Sequence, residues 1–331
     1  MSRKIWYFLG LTLALTWSIE GAAIHWIGDF TILNEVGSGL GTMVLIFTGC
    51  MYVPTVAVVI VQKGLYDQPL KPLGLSVRLN WWWAVAVLLP LGVALLSIVV
   101  SVLWPGVGLS SGKAFLLDQL ETAPMSPDQL EAARQSVNEG ETLLGPLLAL
   151  VLFGAALVTG PTLNGLAAFG EEFGWRGFLQ KELAPLGFWP SSLTIGLVWG
   201  VWHLPLVIGG YNYPGAPIFG IVMMTVFTMA WSPVFAYLVV WGRSVIPAAM
   251  AHGTINAIGG ITLLFIAGGN RFVNGLMGLA GILVVMGVNG VLRWHQLQNQ
   301  RAFDEAWAAF RRLGEKEREE SGEISNERPS F

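Results

Sequence analysis

The stretch "WWWAVAVLLPLGVALLSIVVSVLW", residues 81–104, contains no ionisable side chain. An apolar run of this length matches the thickness of a bilayer's hydrocarbon core, which a helix of roughly 20 residues crosses. Inside lipid every backbone polar group must be satisfied within the protein, so only helices and closed barrels can span. The run is too long and too unbroken for a barrel strand, which needs about ten residues of alternating polarity. Asn80 with Trp81–Trp83 adds an aromatic belt at one interface.

The whole chain agrees with this stretch. Of 331 residues, 54% are hydrophobic and 12% charged, and mean hydropathy is +0.61. A soluble domain carries roughly twice that charge fraction. The reading is an all-α polytopic membrane bundle of about eight spans, near 5–27, 40–61, 82–104, 146–179, 192–209, 218–241, 245–267 and 272–292. The first is read as an uncleaved span and not a cleaved signal peptide. The fourth is too long to be straight, and Gly160–Pro161 inside it predicts a kink or a break.

Cationic residues orient the bundle. Arg3, Lys4, Lys63, Lys71, Arg78, Lys181, Arg243 and Arg293 fall on one side of an eight-span bundle, against Lys113, Arg134 and Arg271 on the other. Both termini are therefore expected in the cytoplasm. The organisation is an N-terminal membrane region at 1–142 with an external loop at 105–142, a core at 143–267, a last span at 268–293 and a cytoplasmic tail at 294–331. In the loop, Ser126, Pro127 and Gln129 predict a capping box and a short helix. In the tail, Phe303, Trp307, Phe310 and Leu313 predict an amphipathic helix on the membrane surface, followed by a disordered end. "GLMGLAG" at 275–281 reads as a small-residue packing face. The single cysteine, Cys50, excludes an internal disulfide and a cysteine-rich metal site. No basic block with interleaved aromatics points to nucleic acid.

Ionisable groups within spans are costly and mark function. Glu171, Glu172 and Arg176 lie in the fourth span, His203 in the fifth, and His252 with Asn256 in the seventh. At 1.5 Å per residue, Glu171, His203 and His252 stand about 15, 17 and 14 Å from the cytoplasmic surface. Three helices thus bring ionisable groups to one layer. Glu172 and Arg176, four apart, form an ion pair on one helix face. Glu171, about 100° around the helix, is left as the free carboxylate. Glu20 and His25 are expected near the interface, with lining the cavity as the alternative. A carboxylate that takes a proton from water makes a nucleophile, and a histidine can hold that water. A second histidine and an asparagine amide can donate to an oxyanion. That is the equipment of peptide hydrolysis. Two histidines and a glutamate, here Glu171, His203 and His252, also nearly make a zinc site.

"EEFGWR", "WGVWH" and "HGTIN", on successive helices, resemble the EExxxR, aromatic-xxx-H and HxxxN elements of the type II CAAX prenyl endopeptidases. That family includes the Ras-converting protease and the bacterial CPBP (Abi) membrane proteases. The resemblance covers roughly 145–265. It implies that Glu171 and His203 activate water, that His252 and Asn256 hold the oxyanion, and that Glu172 and Arg176 orient the first carboxylate. Trp199 stands where the family often has phenylalanine. The family has been described both as metalloproteases and as metal-independent glutamate proteases; asparagine is a poor zinc ligand, so no cofactor is expected, with a divalent metal such as zinc as the alternative. The expected partners are the bilayer and a peptide or lipidated protein, processed by CAAX-type or bacteriocin-related cleavage. The expected location is a bacterial plasma membrane, with the site facing the cytoplasm. A non-catalytic scaffold or immunity protein, and a proton-coupled transporter, are the competing classes. The transporter predicts paired broken helices in two related halves, and no duplicated motif is present.

Overall fold

The computed structural model describes residues 2–27, 40–113, 116–117, 120 and 126–312. The first span is α1 (Arg3–Ile27). The second is α2 (Leu40–Met51) and α3 (Val53–Val58), which runs on as a wide π-helical turn, Val59–Leu65. The third is α4 (Trp81–Ser101), whose first turn is capped by the Asn80 side chain accepting from the Trp82 amide at 3.0 Å. Five helical stretches are long and apolar enough to cross a membrane: Arg3–Trp26, Ile46–Leu65, Trp81–Ser101, Gly145–Glu182 and Pro217–Gly242.

In the loop at 105–142, α5 (Pro127–Glu139) starts from the predicted capping box. The Ser126 hydroxyl accepts from the Gln129 amide at 3.3 Å, and the Gln129 side chain accepts from the Ser126 amide at 3.0 Å. The loop residues 114–115, 118–119 and 121–125 lie outside the described residues, as do Leu313 and the end of the tail.

The long fourth span does not divide. Here α6 (Glu141–Thr159) passes through a π-helical turn, Gly160–Asn164, into α7 (Gly165–Glu172), and a second π-helical turn, Phe173–Leu179, carries it to Glu182. Pro161 has no amide proton to give, and a wide turn absorbs that loss without ending the helix.

The fifth span breaks where the sequence predicts continuity. It is α8 (Phe188–Trp202), then His203, then α9 (Leu204–Ile208) with Pro205 in its first turn. The sixth, α10 (Pro217–Gly242), is the most buried of the five long stretches and packs against α4 and α8. The seventh is α11 (Ile246–Ile258). The eighth, α12 (Leu279–Gln298), starts seven residues later than the sequence predicts. "GLMGLAG" is the reason: Gly275 takes a left-handed φ of 72°, so the segment turns before it helixes. Among the described residues the only strands are a two-residue ladder, Gly108–Leu109 on Ile266–Ala267.

Helix association in lipid depends on close packing and small residues, because the lipid tails are as apolar as the side chains. At Gly253 of α11 an added Cβ would lie 2.2 Å from the Gly165 amide nitrogen, and at Gly200 of α8 one would lie 2.6 Å from Thr225 Cα on α10. These contacts press α11 onto α7 and α8 onto α10. The tail helix α13 (Gln300–Arg312) corrects another expectation. Its apolar face does not lie on lipid. Phe303 and Trp307 pack edge-on to Phe188 at 5.2 and 5.6 Å, and Phe303 stacks on Tyr237 at 5.6 Å.

The two ends of the bundle are distinct. At one end Ser2 donates to Glu182 at 2.8 Å, the Val245 amide to Gly74 at 3.1 Å, and Asn80 to Trp241 at 3.1 Å. Lys181 stands over the Phe310 ring at 5.5 Å. These contacts gather the segments around the cationic residues predicted to share a side. At the other end the 108–109 ladder pairs with 266–267, and the Tyr213 hydroxyl donates to Met277 at 2.8 Å.

Candidate active site

Glu171 and Glu172 close α7, and the turn of the helix sends them to different neighbours. Glu171 is buried and accepts from the Trp199 indole N–H at 2.7 Å. Glu172 is fully buried; its Oε1 accepts from Arg176 at 3.1 Å and from His252 Nδ1 at 2.9 Å. The predicted ion pair forms. Its role differs from the one the resemblance implies: Glu172 holds His252, while Glu171 is held by Trp199. The Arg176 guanidinium lies between the Trp199 and Phe235 rings, at 4.8 and 4.9 Å, which pins the aromatic side chain that reaches Glu171.

The break after α8 explains His203. Its backbone N–H bonds Gly200 at 3.2 Å in a tightened last turn, leaving the Trp199 carbonyl without its usual amide. The His203 ring supplies the replacement, Nδ1 to Trp199 O at 2.8 Å. A carbonyl only accepts, so Nδ1 carries the proton and Nε2 is the free atom. By the same logic, Nδ1 of His252 donates to the Glu172 carboxylate and Nε2 is again free. Trp202 meets His203 edge-on at 4.8 Å, and Phe235 stacks on His252 at 5.6 Å.

Glu171, His203, His252 and Asn256 line one cavity of about 430 Å3. Glu20 lines it too. The sequence places Glu20 near the interface, but it is fully buried, while His25 one turn on is exposed. The stripe Thr12, Thr16, Glu20, with residues four apart and all fully buried, is the signal that would have placed it. Trp199 is the other functional residue the sequence undervalues, since only its indole nitrogen marks it as more than an aromatic.

The cavity also has a direction. Its lining runs outward through Leu206, Tyr211 and Asn212 after α8, and through Gly259 and Gly260 after α11. Behind the lining, buried Phe235 packs against Trp199 at 5.8 Å and His252 at 5.6 Å. The lining therefore leads away from the end that carries Lys63, Arg78, Lys181 and Arg243.

Among the described residues no three His, Cys, Asp or Glu side chains are grouped closely enough to hold an ion. The alternative set Glu171, His203 and His252 shares the cavity without forming such a group.

Fold and site together define an α-helical membrane protein with a Glu/His/His/Asn cavity enclosed between its helices. Residues 147–258, about a third of the chain, match the family model described as type II CAAX prenyl endopeptidase Rce1-like. The match spans all of the motif residues and supports a CAAX-type intramembrane protease at the level of the family. No curated protein matches the chain in sequence.

Proposed function

We propose that this protein is an intramembrane endopeptidase in which Glu171 is the base, His203 positions the water, and His252 and Asn256 receive the oxyanion. The observation that carries the reading is that all four side chains line one cavity, with Glu171 held from behind by Trp199. Water lies between Glu171 and the free Nε2 of His203. Glu171 takes one of its protons as the oxygen attacks the peptide carbonyl carbon. The carbonyl oxygen becomes an oxyanion, received by the Asn256 amide and by His252, which the Glu172 carboxylate positions through Nδ1. The tetrahedral intermediate collapses, the C–N bond breaks, and Glu171 returns its proton to the leaving amine.

Counted by helix, about eight spans cross the bilayer with both termini in the cytoplasm. On that orientation the lining leads to the outer face. The expected cytoplasmic opening is therefore replaced by an outer one, and the substrate is a peptide or lipidated protein segment that reaches mid-membrane from outside.

Comparison of membrane-associated peptide termini by mass spectrometry tests the function without a known substrate. Cells carrying the natural protein are compared with cells carrying Glu171→Gln or His203→Ala at equal abundance. Termini that vanish with both substitutions are expected. Identical termini overturn the protease reading in favour of a scaffold.

A further inference from the structure

Glu20 is not explained by the hydrolytic set. It lies on α1, outside the matched region 147–258. Two side-chain bonds fix its helix against the His203 segment. The Thr16 hydroxyl accepts from the Trp202 indole at 2.9 Å, and the Trp17 indole donates to the Trp202 carbonyl at 3.2 Å. One turn further along the same face, Glu20 reaches the cavity. It is fully buried, and neither carboxylate oxygen has a hydrogen-bond partner among the described residues. The Cys50 thiol beside it is a weak donor.

The cavity's other groups do not satisfy this carboxylate. Among the described residues no lysine or arginine lines it. Arg176, the nearest guanidinium in sequence to the site, is bonded to Glu172 and enclosed by Trp199 and Phe235. Phe47, Met51 and Leu206 in the lining offer no donor, and Thr48 and Cys50, which could, leave both Glu20 oxygens without a hydrogen bond. A buried carboxylate with no donor is unfavourable unless something that occupies the cavity supplies one. Two carboxylates, Glu20 and Glu171, thus face a space whose walls bring no lysine or arginine, and a fixed helix holds the first of them in place.

We propose that Glu20 is a specificity-determining residue: it receives a basic side chain, a lysine ammonium or an arginine guanidinium, of the peptide whose scissile bond lies at Glu171. The cleavage arm of the test rests on the endopeptidase reading, and the binding arm does not. A charge-assisted bond to a buried carboxylate is stronger and more directional than a neutral one. The cavity therefore selects peptides with a basic residue at a fixed distance from the cut.

The purified full chain in lipid nanodiscs, incubated with a proteome-derived peptide library, reports this by mass spectrometry of product termini. The expected result is enrichment of Lys and Arg at one position near the cut, retained by Glu20→Asp and reduced about tenfold or more by Glu20→Gln. No enrichment with the natural protein, or the same enrichment with Glu20→Gln, overturns the proposal. If no variant cleaves any peptide, the endopeptidase reading fails and the binding arm decides this one. Thermal unfolding is then followed with butylammonium and with butanol as probes. Protection by butylammonium alone, present in the natural protein and Glu20→Asp and lost in Glu20→Gln, supports the cation site. Equal protection in all three, or none in the natural protein, overturns it.

Discussion

At the scale of single residues, Glu171, His203 and His252 are each held by a hydrogen bond to a named neighbour. Trp199 is the most instructive. Its N–H bonds Glu171 at 2.7 Å, its carbonyl bonds His203 at 2.8 Å, and its ring covers Arg176. Trp199→Phe keeps the ring and the carbonyl and deletes only the N–H. A hydrogen bond to a buried charged group is worth about 1.5–3 kcal/mol, so kcat/KM should fall about tenfold or more while thermal stability changes little. An unchanged kcat/KM would show that Glu171 is positioned without Trp199. Glu172→Gln should behave differently. It leaves the fully buried Arg176 without its counter-charge, which costs about 3–5 kcal/mol, and denaturation in detergent should come at visibly lower temperature. The spacing of Glu172 and Arg176 made their ion pair legible in the sequence, because both stand on one helix. The bonds from Trp199 to Glu171 and from His252 to Glu172 were not legible, because they join different helices and depend on how closely those helices approach.

Elements decide that approach. Apolar runs made the spans legible, and the capping box made α5 legible, since both are local signals. The break at His203 and the late start of α12 were missed because hydropathy does not register a proline just past a helix end or a left-handed glycine. Both matter to the site. The break frees the Trp199 carbonyl for His203, and the turn at Gly275 sets Met277 against the cavity. The wide turn at Phe173–Leu179 carries Arg176 back beneath Glu172 without interrupting the span. The contact that brings His252 to Glu172 rests on Gly253, one residue along, where α11 touches the Gly165 backbone. Gly253→Ala places a Cβ 2.2 Å from a backbone nitrogen that has no side-chain freedom to yield. Overpacking of this kind costs about 1–3 kcal/mol. Lowered thermal stability should therefore accompany lost activity in Gly253→Ala, whereas Glu171→Gln should lose activity with the unfolding temperature retained.

For the whole molecule, the question is which face of the membrane the cavity meets. The helices that line it do so from the middle or from the half away from the cationic end: Glu20 late in α1, His203 and Leu206 after α8, His252 midway along α11, Asn256 late in it and Gly260 after it. Buried Phe235 packs behind His252 and Trp199. Counting residues along each helix united Glu171, His203 and His252 in one layer, and they do line one cavity, but depth counted from one surface carries no information about which surface opens. Orientation by Lys and Arg does carry it once the lining is known. Gly260 is exposed at the cavity rim and has open space around an added Cβ, so Gly260→Cys is compatible with the fold. In a Cys50→Ser background, a membrane-impermeant maleimide should label Gly260→Cys in intact cells from outside. Arg78→Cys, at the exposed cationic end, should be labelled only in inverted vesicles. The reverse pattern would put the cavity mouth in the cytoplasm, and with it the peptides that Glu171 can reach.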